Sequence, residues 1–284
     1  MFDLARSSTQ AAALLDRLAP TLPPLDEARL FANRSAQPLI VAATLAMWEA
    51  LRATAPLPSL VAGYSIGELS AYAVAGALSS TDAVQLAASR ATLMDECRNE
   101  HPNQSLLAVS GLALSQAAPL ITQHSFCISI ETGDDSCIAG GPSESSEQLQ
   151  QAILAAGGRS RALPVEVASH TPYMASAVAP FAQALQAASF HPMQTPVVAG
   201  IDASNVDHKA AAVETLSRQL AEPIRWRSCM DAFAEAGITV ALELGPGSAL
   251  SRMLQARHPQ IQTRSVSDFR TLDGIRKWLD RAQD

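Results

Sequence analysis

An α/β fold, with a smaller α+β part set into a larger one, is what this 284-residue chain predicts, and three observations carry the prediction. Short apolar runs alternate with Ala- and Leu-rich stretches of helical period along most of its length. After His101 the texture changes, and strand-like and helix-like segments follow one another at shorter spacing. Finally, Gly63-Tyr64-Ser65-Ile66-Gly67 lies between a short apolar run and a long helical pattern, a strand–sharp turn–helix unit.

Taken in order, residues 9–19 and 37–54 have helical periodicity, and PTLPPLDE between them is a turn-rich connector. Leu60 to Ala62 reads as a strand and Glu68 to Leu78 as a helix. Ser79-Ser80-Thr81-Asp82 supplies an N-cap for a helix from Ala83 to Cys97. Residues 101–166 form the small part: strands at 105–112, 126–130, 137–139 and 161–167, helices at 115–123 and 143–156, and a turn at Asp134-Asp135. Residues 1–100 and 167–284 form the large part. Helices at 174–188, 209–220, 228–236 and 248–256 alternate there with strands at 196–200 and 239–244, which predicts a largely parallel sheet covered on both faces. Gly245-Pro246-Gly247 is a strand-to-helix turn, too short and wrongly spaced for a phosphate-binding loop.

Composition limits the function classes. With 48% hydrophobic and 17% charged residues the chain is globular, and its net charge of −7 argues against a nucleic-acid partner, which demands a basic face. An anionic small substrate stays open, because one buried arginine can bind a carboxylate locally. Cys97, Cys127, Cys137 and Cys229 have no C-x-x-C spacing, so reduced thiols, no metal site and a cytoplasmic setting are expected. The first 18 residues read as an amphipathic helix, not a signal peptide, and the longest apolar stretch, Pro38 to Trp48, is too short to span a bilayer.

The chemistry centres on Ser65. Gly63-Tyr64-Ser65-Ile66-Gly67 fits G-x-S-x-G, in which small flanking residues let the serine Oγ project from a tight turn and the next helix aims its N-terminal amides at developing negative charge. The plainer reading is a glycine-flanked turn with Ser65 as a cap. A serine nucleophile needs a base. His101, His124, His208 and His258 fall in polar or helix-end contexts, and His191 precedes Pro192 at a turn. His170 follows the apolar segment Leu163 to Ala168 where the chain returns from the small part, a common place for a cleft, although an ordinary turn histidine also fits.

GYSIGELSAYAVAGAL, VQLAASRATLM, LPVEVASHTPYM, TPVVAGID, LSRQLAEPIRW and VALELGPGSAL occur in that order, and together they resemble the malonyl-CoA:acyl-carrier-protein transacylases and related acyltransferase domains. The likeness spans roughly residues 33–256. It implies an α/β-hydrolase-like large subdomain with a ferredoxin-like small one. It further implies malonyl transfer from malonyl-CoA to the phosphopantetheine-type thiol of an acyl carrier protein, with no bound cofactor. Ser65 matches the nucleophile, His170 the base, Ile66 an oxyanion amide and Arg90 the clamp for the malonyl carboxylate. Gln219, in RQL, matches the residue that orients the histidine, and Gln37, in NRSAQP, one that lines the acyl site. Glu68 reads as a helix-start carboxylate. Solvated helix positions are the plainer readings of Arg90 and Gln219.

Tyr64, expected with Arg90 and Gln37 to bind substrate, stands where most of the family has histidine; with TGDDSCIAGGP and RSVSDFR it resembles the acyltransferase subunit of malonate decarboxylase, so other subunits of that complex are expected partners. The chain departs from the family at its start, where a strand and a G-Q-G-x-Q loop are expected and neither is found. Either the recorded start is too far downstream or the protein is impaired or repurposed, so a non-catalytic carrier-binding subunit stays open. So does a serine esterase or thioesterase, although the best histidine comes early for that class.

Overall fold

The computed structural model describes residues 2–24, 30–165 and 167–283. Three helices open the chain: α1 (Asp3–Arg6), α2 (Thr9–Leu18), capped by Ser8 accepting from the Ala11 amide, and the long α3 (Asn33–Leu51). The last three residues of the expected PTLPPLDE connector lie outside the described residues. Strand β1 (Val61–Ala62) leads through the Ser65 turn into α4 (Gly67–Val74). Helix α5 (Ser80–Glu100) begins behind Ser79, whose hydroxyl accepts from the Asp82 amide, so the expected cap holds but the helix starts three residues early.

A β-α-β-β-α-β succession follows: β2 (Gln104–Ser110), α6 (Leu114–Gln123), β3 (Cys127–Glu131), β4 (Ser136–Pro142), α7 (Ser146–Ala155) and β5 (Arg159–Ala162). These strands form an antiparallel sheet in the order β3-β4-β2-β5, with Leu107, Val109, Ile121, Phe126, Leu149 and Ile153 buried between sheet and helices. The expected strand over 161–167 is not formed beyond Ala162. Pro164 has no N–H to continue the ladder, and the chain turns toward His170 instead. Glu166, inside that expected strand, lies outside the described residues.

The remainder contains α8 (Ala175–Ala187), β6 (Val197–Val198), β7 (Asn205–Val206), α9 (Lys209–Arg218), α10 (Trp226–Glu235), β8 (Val240–Glu243), α11 (Ala249–Arg257), β9 (Gln262–Ser265) and α12 (Leu272–Gln283). Parallel pairing, predicted for this part, occurs between β1 and β6 and also between β8 and β9, a strand the sequence reading did not include, while β6 and β7 pair antiparallel. They belong to two separate sheet pieces, however, not to one continuous sheet. Helix α3 covers both pieces: Val41 and Leu45 share a core with Val61, and Ala46, Met47 and Leu51 share one with Val240 and Leu242. On the other face Trp226, Cys229 and Met230 of α10 pack against Leu60, Ala62 and Ala241. The chain is therefore a mixed α/β protein. Among the described residues no helix is long and apolar enough to cross a membrane.

The β3–β4 sheet is tied to the large part through backbone and charge. Ile224 bonds along β3 to the residues on either side of Ile130: the Glu131 amide donates to Ile224 O at 2.8 Å and the Ile224 amide to Ser129 O at 2.9 Å. Asp134 in the following turn pairs with Arg227 (3.3 Å) and Arg257 (3.2 Å), and Arg257 also reaches Asp231 at 2.6 Å. These partly exposed pairs are individually weak, but a shared network fixes geometry better than isolated pairs do.

The two glycines around Ser65 are not equivalent. A Cβ at Gly63 would overlap the backbone N and Cα of Glu68, while at Gly67 it meets no atom within 4 Å. Gly63→Ala should therefore destabilise by more than about 3 kcal/mol or abolish soluble expression, and Gly67→Ala should change stability by less than about 1 kcal/mol. Chemical denaturation of the two variants checks this, and equal effects would refute it.

Candidate active site

Ser65 and His170 are both held in the left-handed backbone region, at φ 53° and 60°, where a side chain is strained. At Ser65 the strain follows from the turn: the Gly67 amide closes back on Tyr64 O (2.9 Å) and the Glu68 amide on Ser65 O (3.1 Å). The Ile66 amide, next to Ser65 at the head of α4, makes no backbone hydrogen bond among the described residues, which leaves its donor unspent there. His170 is placed by both parts of the molecule. Its own amide donates to Leu220 O (2.8 Å), and the preceding residues are anchored by the small sheet, with Ala168 N donating to Gln104 Oε1 (2.8 Å) and Ser129 Oγ to Ser169 O (2.7 Å).

The ring of His170 is fully buried and lies between Ser65 Oγ, 2.8 Å from Nε2, and the carbonyl of Gln219, 2.6 Å from Nδ1. A carbonyl can only accept, so Nδ1 carries the proton and Nε2 presents its lone pair to Ser65. Burial lowers the imidazole pKa to about 3; the Arg90 charge pushes the same way and the Gln219 carbonyl opposes. The imidazole is thus neutral, the form a general base needs.

Arg90 on α5 is 3% exposed, which removes its plainer reading as a solvated helix residue. Its guanidinium donates to Gln37 Oε1 (2.7 Å), and at 3.4 Å to both Ser65 Oγ and Gln219 Oε1. Burial lowers its pKa to about 10, with the Glu68 charge opposing, so it stays a cation at neutral pH. Gln37 is oriented by Asn33 one turn earlier on α3. Asn33 Nδ2 donates to Ala91 O (2.8 Å), so its Oδ1 accepts from Gln37 Nε2 (2.6 Å) and the Gln37 oxygen must face Arg90. Gln219 is 1% exposed and not a surface glutamine; its Nε2 donates to Glu68 Oε2 at 2.5 Å. Glu68 is fully buried, and burial lifts its pKa to about 8 against opposing bonds from Gly200 and Gln219.

Ser65, His170, Arg90, Gln219, Gln37 and the Ile66 amide, all singled out from sequence, thus converge. Tyr64 does not join them through its side chain: the ring packs edge-on against Trp226, 5.4 Å between centroids, in the apolar cluster with Ile224 and Met230. Sequence reasoning missed Asn33, whose signal was its spacing of four before Gln37 on a helix. It also missed the connection of Glu68 to Gln219, although a carboxylate in the Ala- and Leu-rich ELSAYAVAGAL run hinted at burial. His258, one of the histidines in polar or helix-end contexts, is partly buried against Asp231 at 2.9 Å. No cluster of three metal-ligating side chains occurs among the described residues.

A half-buried serine hydroxyl facing a neutral imidazole, with an unspent main-chain amide at the next residue and a cation one hydrogen bond away, is suited to acyl transfer of an anionic acyl group. Comparison with known proteins agrees on the reaction class. The acyl transferase domain model matches residues 7–272. The malonyl CoA-acyl carrier protein transacylase of Mycobacterium bovis is 33% identical over 244 residues, covering 84% of this chain and 80% of that protein. Among solved structures, MCAT from Mycobacterium tuberculosis superposes with a TM-score of 0.88 at 28% identity, covering 100% of this chain and 94% of that one. A malonyl-transacylase in complex with its type II PKS acyl-carrier protein superposes at 0.87 with 25% identity, over 98% and 91%. The chain is an acyltransferase and belongs to the acyl transferase domain family.

Proposed function

We propose that this enzyme transfers a malonyl group from malonyl-CoA to the thiol of an acyl carrier protein through a malonyl ester on Ser65. The observation that carries the reading is Arg90: a buried cation 3.4 Å from the Ser65 hydroxyl, which among the described residues hydrogen-bonds only to neutral oxygens. A carboxylate two carbons beyond the ester carbonyl supplies the contacting countercharge that the described residues do not. The relatives' names, and the solved complex of one with its carrier protein, support the same donor and acceptor.

In the first half-reaction Ser65 Oγ attacks the thioester carbonyl as His170 Nε2 takes its proton. The Ile66 amide stabilises the oxyanion, the C–S bond breaks, and CoA leaves with the proton from His170. The carrier's phosphopantetheine-type thiol then gives its proton to His170 and attacks the ester, and Ser65 recovers its proton as the malonyl thioester departs. Gln219 orients the imidazole through its main-chain carbonyl, and Gln37 helps hold Arg90.

The narrower assignment, the acyltransferase subunit of malonate decarboxylase working with that complex's own carrier and other subunits, rests on Tyr64, TGDDSCIAGGP and RSVSDFR. The two-part organisation belongs to the same reading: an α/β-hydrolase-like part over 1–100 and 167–284 and a ferredoxin-like part over 101–166. It is supported by the β-α-β-β-α-β succession with strand order β3-β4-β2-β5.

Intact-protein mass after brief exposure to malonyl-CoA tests the covalent step. A malonyl adduct is expected on the wild type and none on Ser65→Ala; a folded wild type that gains no adduct overturns the reading. Arg90→Ala should lower kcat/KM for malonyl loading by about 30-fold or more, since losing a buried charge partner costs about 2–5 kcal/mol, while acetyl loading falls far less. Undiminished malonyl preference in that variant removes Arg90 from the mechanism.

The pH profile gives a separate check. Because the folded pKa of His170 lies far below that of a free histidine, acylation should show no descending limb near pH 6.5 and should lose the base only toward about 3. The sign for stability is the reverse of a salt-bridged histidine: His170 contributes fully above pH 6.5, and its contribution falls as pH drops from there toward 3. Stopped-flow acylation between pH 5 and 8 reads the first point, and a limb at 6 to 7 would contradict it.

A further inference from the structure

We infer that Glu68 is a positioning residue that fixes the side-chain amide of Gln219 and, through it, the guanidinium of Arg90. The inference deepens the malonyl reading and rests on it. The argument is one of donor direction. The Gly200 amide donates to Glu68 Oε2 at 3.0 Å, and a main-chain N–H cannot reverse its role. Oε2 is therefore an acceptor whether or not the carboxyl carries a proton on its other oxygen. The same Oε2 contacts the amide end of Gln219, so Gln219 must turn its NH2 to Glu68 and its Oε1 to Arg90. With the opposite amide rotamer, Gln219 would aim donors at the Arg90 donors and set its oxygen against Oε2.

The arrangement is tightly enclosed. Glu68, Gln219 and Arg90 are all buried, and a Cβ on Gly200 would lie 3.0 Å from Glu68 Oε2 and 3.4 Å from Gln219 Nε2. Glu68 Oε1 has no hydrogen-bond partner among the described residues, so Oε2 alone carries the contacts. The base is held differently: His170 leans on the main-chain carbonyl of Gln219, which no side-chain change at 68 removes. Loss of Glu68 should thus harm recognition of the acyl carboxylate more than general acyl transfer. An amide at 68 can offer its oxygen to both Gly200 and Gln219, so Glu68→Gln preserves the direction of the chain.

The test is Ser65 acylation by malonyl-CoA and acetyl-CoA, read as the ratio of the two kcat/KM values in wild type, E68A, E68Q and Q219L. In E68A the malonyl-to-acetyl ratio should fall at least about 10-fold, and E68Q should stay within about 3-fold of wild type. Q219L, which keeps the main-chain carbonyl on His170, should repeat the E68A signature, and the double variant should be no worse than either single one. Parallel loss of both substrates in E68A, or a ratio in E68Q as low as in E68A, would overturn the inference. If E68A does not fold, an unchanged ratio in Q219L overturns it alone. Wild type that takes up acetyl but not malonyl defeats the malonyl reading itself, before any variant is compared.

Discussion

A guanidinium buried with no contacting carboxylate among the described residues is the constraint around which the site is built. Taking such a cation out of water costs several kcal/mol, and the neutral oxygens of Gln37 and Gln219 offset only part of it. Each oxygen must be turned the right way, and each is turned by a line that ends on a main-chain group of unambiguous role. One line runs from the Ala91 carbonyl through Asn33 to Gln37; the other runs from the Gly200 amide through Glu68 to Gln219. Helix α3, helix α5, the head of α4 and the segment after α9 are thereby coupled through polar groups as well as through their apolar cores.

The base is governed by a second constraint, its place between the two parts of the molecule. His170 takes its backbone bond from Leu220 and its ring bond from Gln219, while Ala168 and Ser169 are held by Gln104 and Ser129 of the small sheet. The Asp134–Arg227–Arg257–Asp231 network keeps that sheet registered on α10 and α11. A displacement of the small sheet would therefore be felt at the imidazole before it reached Ser65, whose turn is closed by the local Gly67–Tyr64 and Glu68–Ser65 bonds.

Much of this was legible in the sequence, and the reasons divide cleanly. The Ser65 turn and most helices are local matters, set by glycine placement, caps and 3.6-residue periodicity, so they could be read directly. Arg90, Gln37 and Gln219 came from resemblance; nothing in their own neighbourhoods distinguishes a buried residue from a solvated one. The end of the strand at Ala162 was misjudged because the apolar run 163–168 hides the effect of Pro164. The division of the large sheet, strand β9 and helix α12 were missed because pairing partners are decided across the chain, not along it. The polar lines through Asn33 and Glu68 join residues as far apart as 68 and 219, and no sequence window contains both ends.

The left-handed backbone at Ser65 and His170 has an evolutionary corollary. Glycine would relax both positions, so the mutations most favourable to heat resistance there are also the ones that delete the nucleophile and the base. A laboratory selection for thermal survival alone would drift toward inert proteins at these two sites. Only a screen that also demands turnover would keep the lineage fertile.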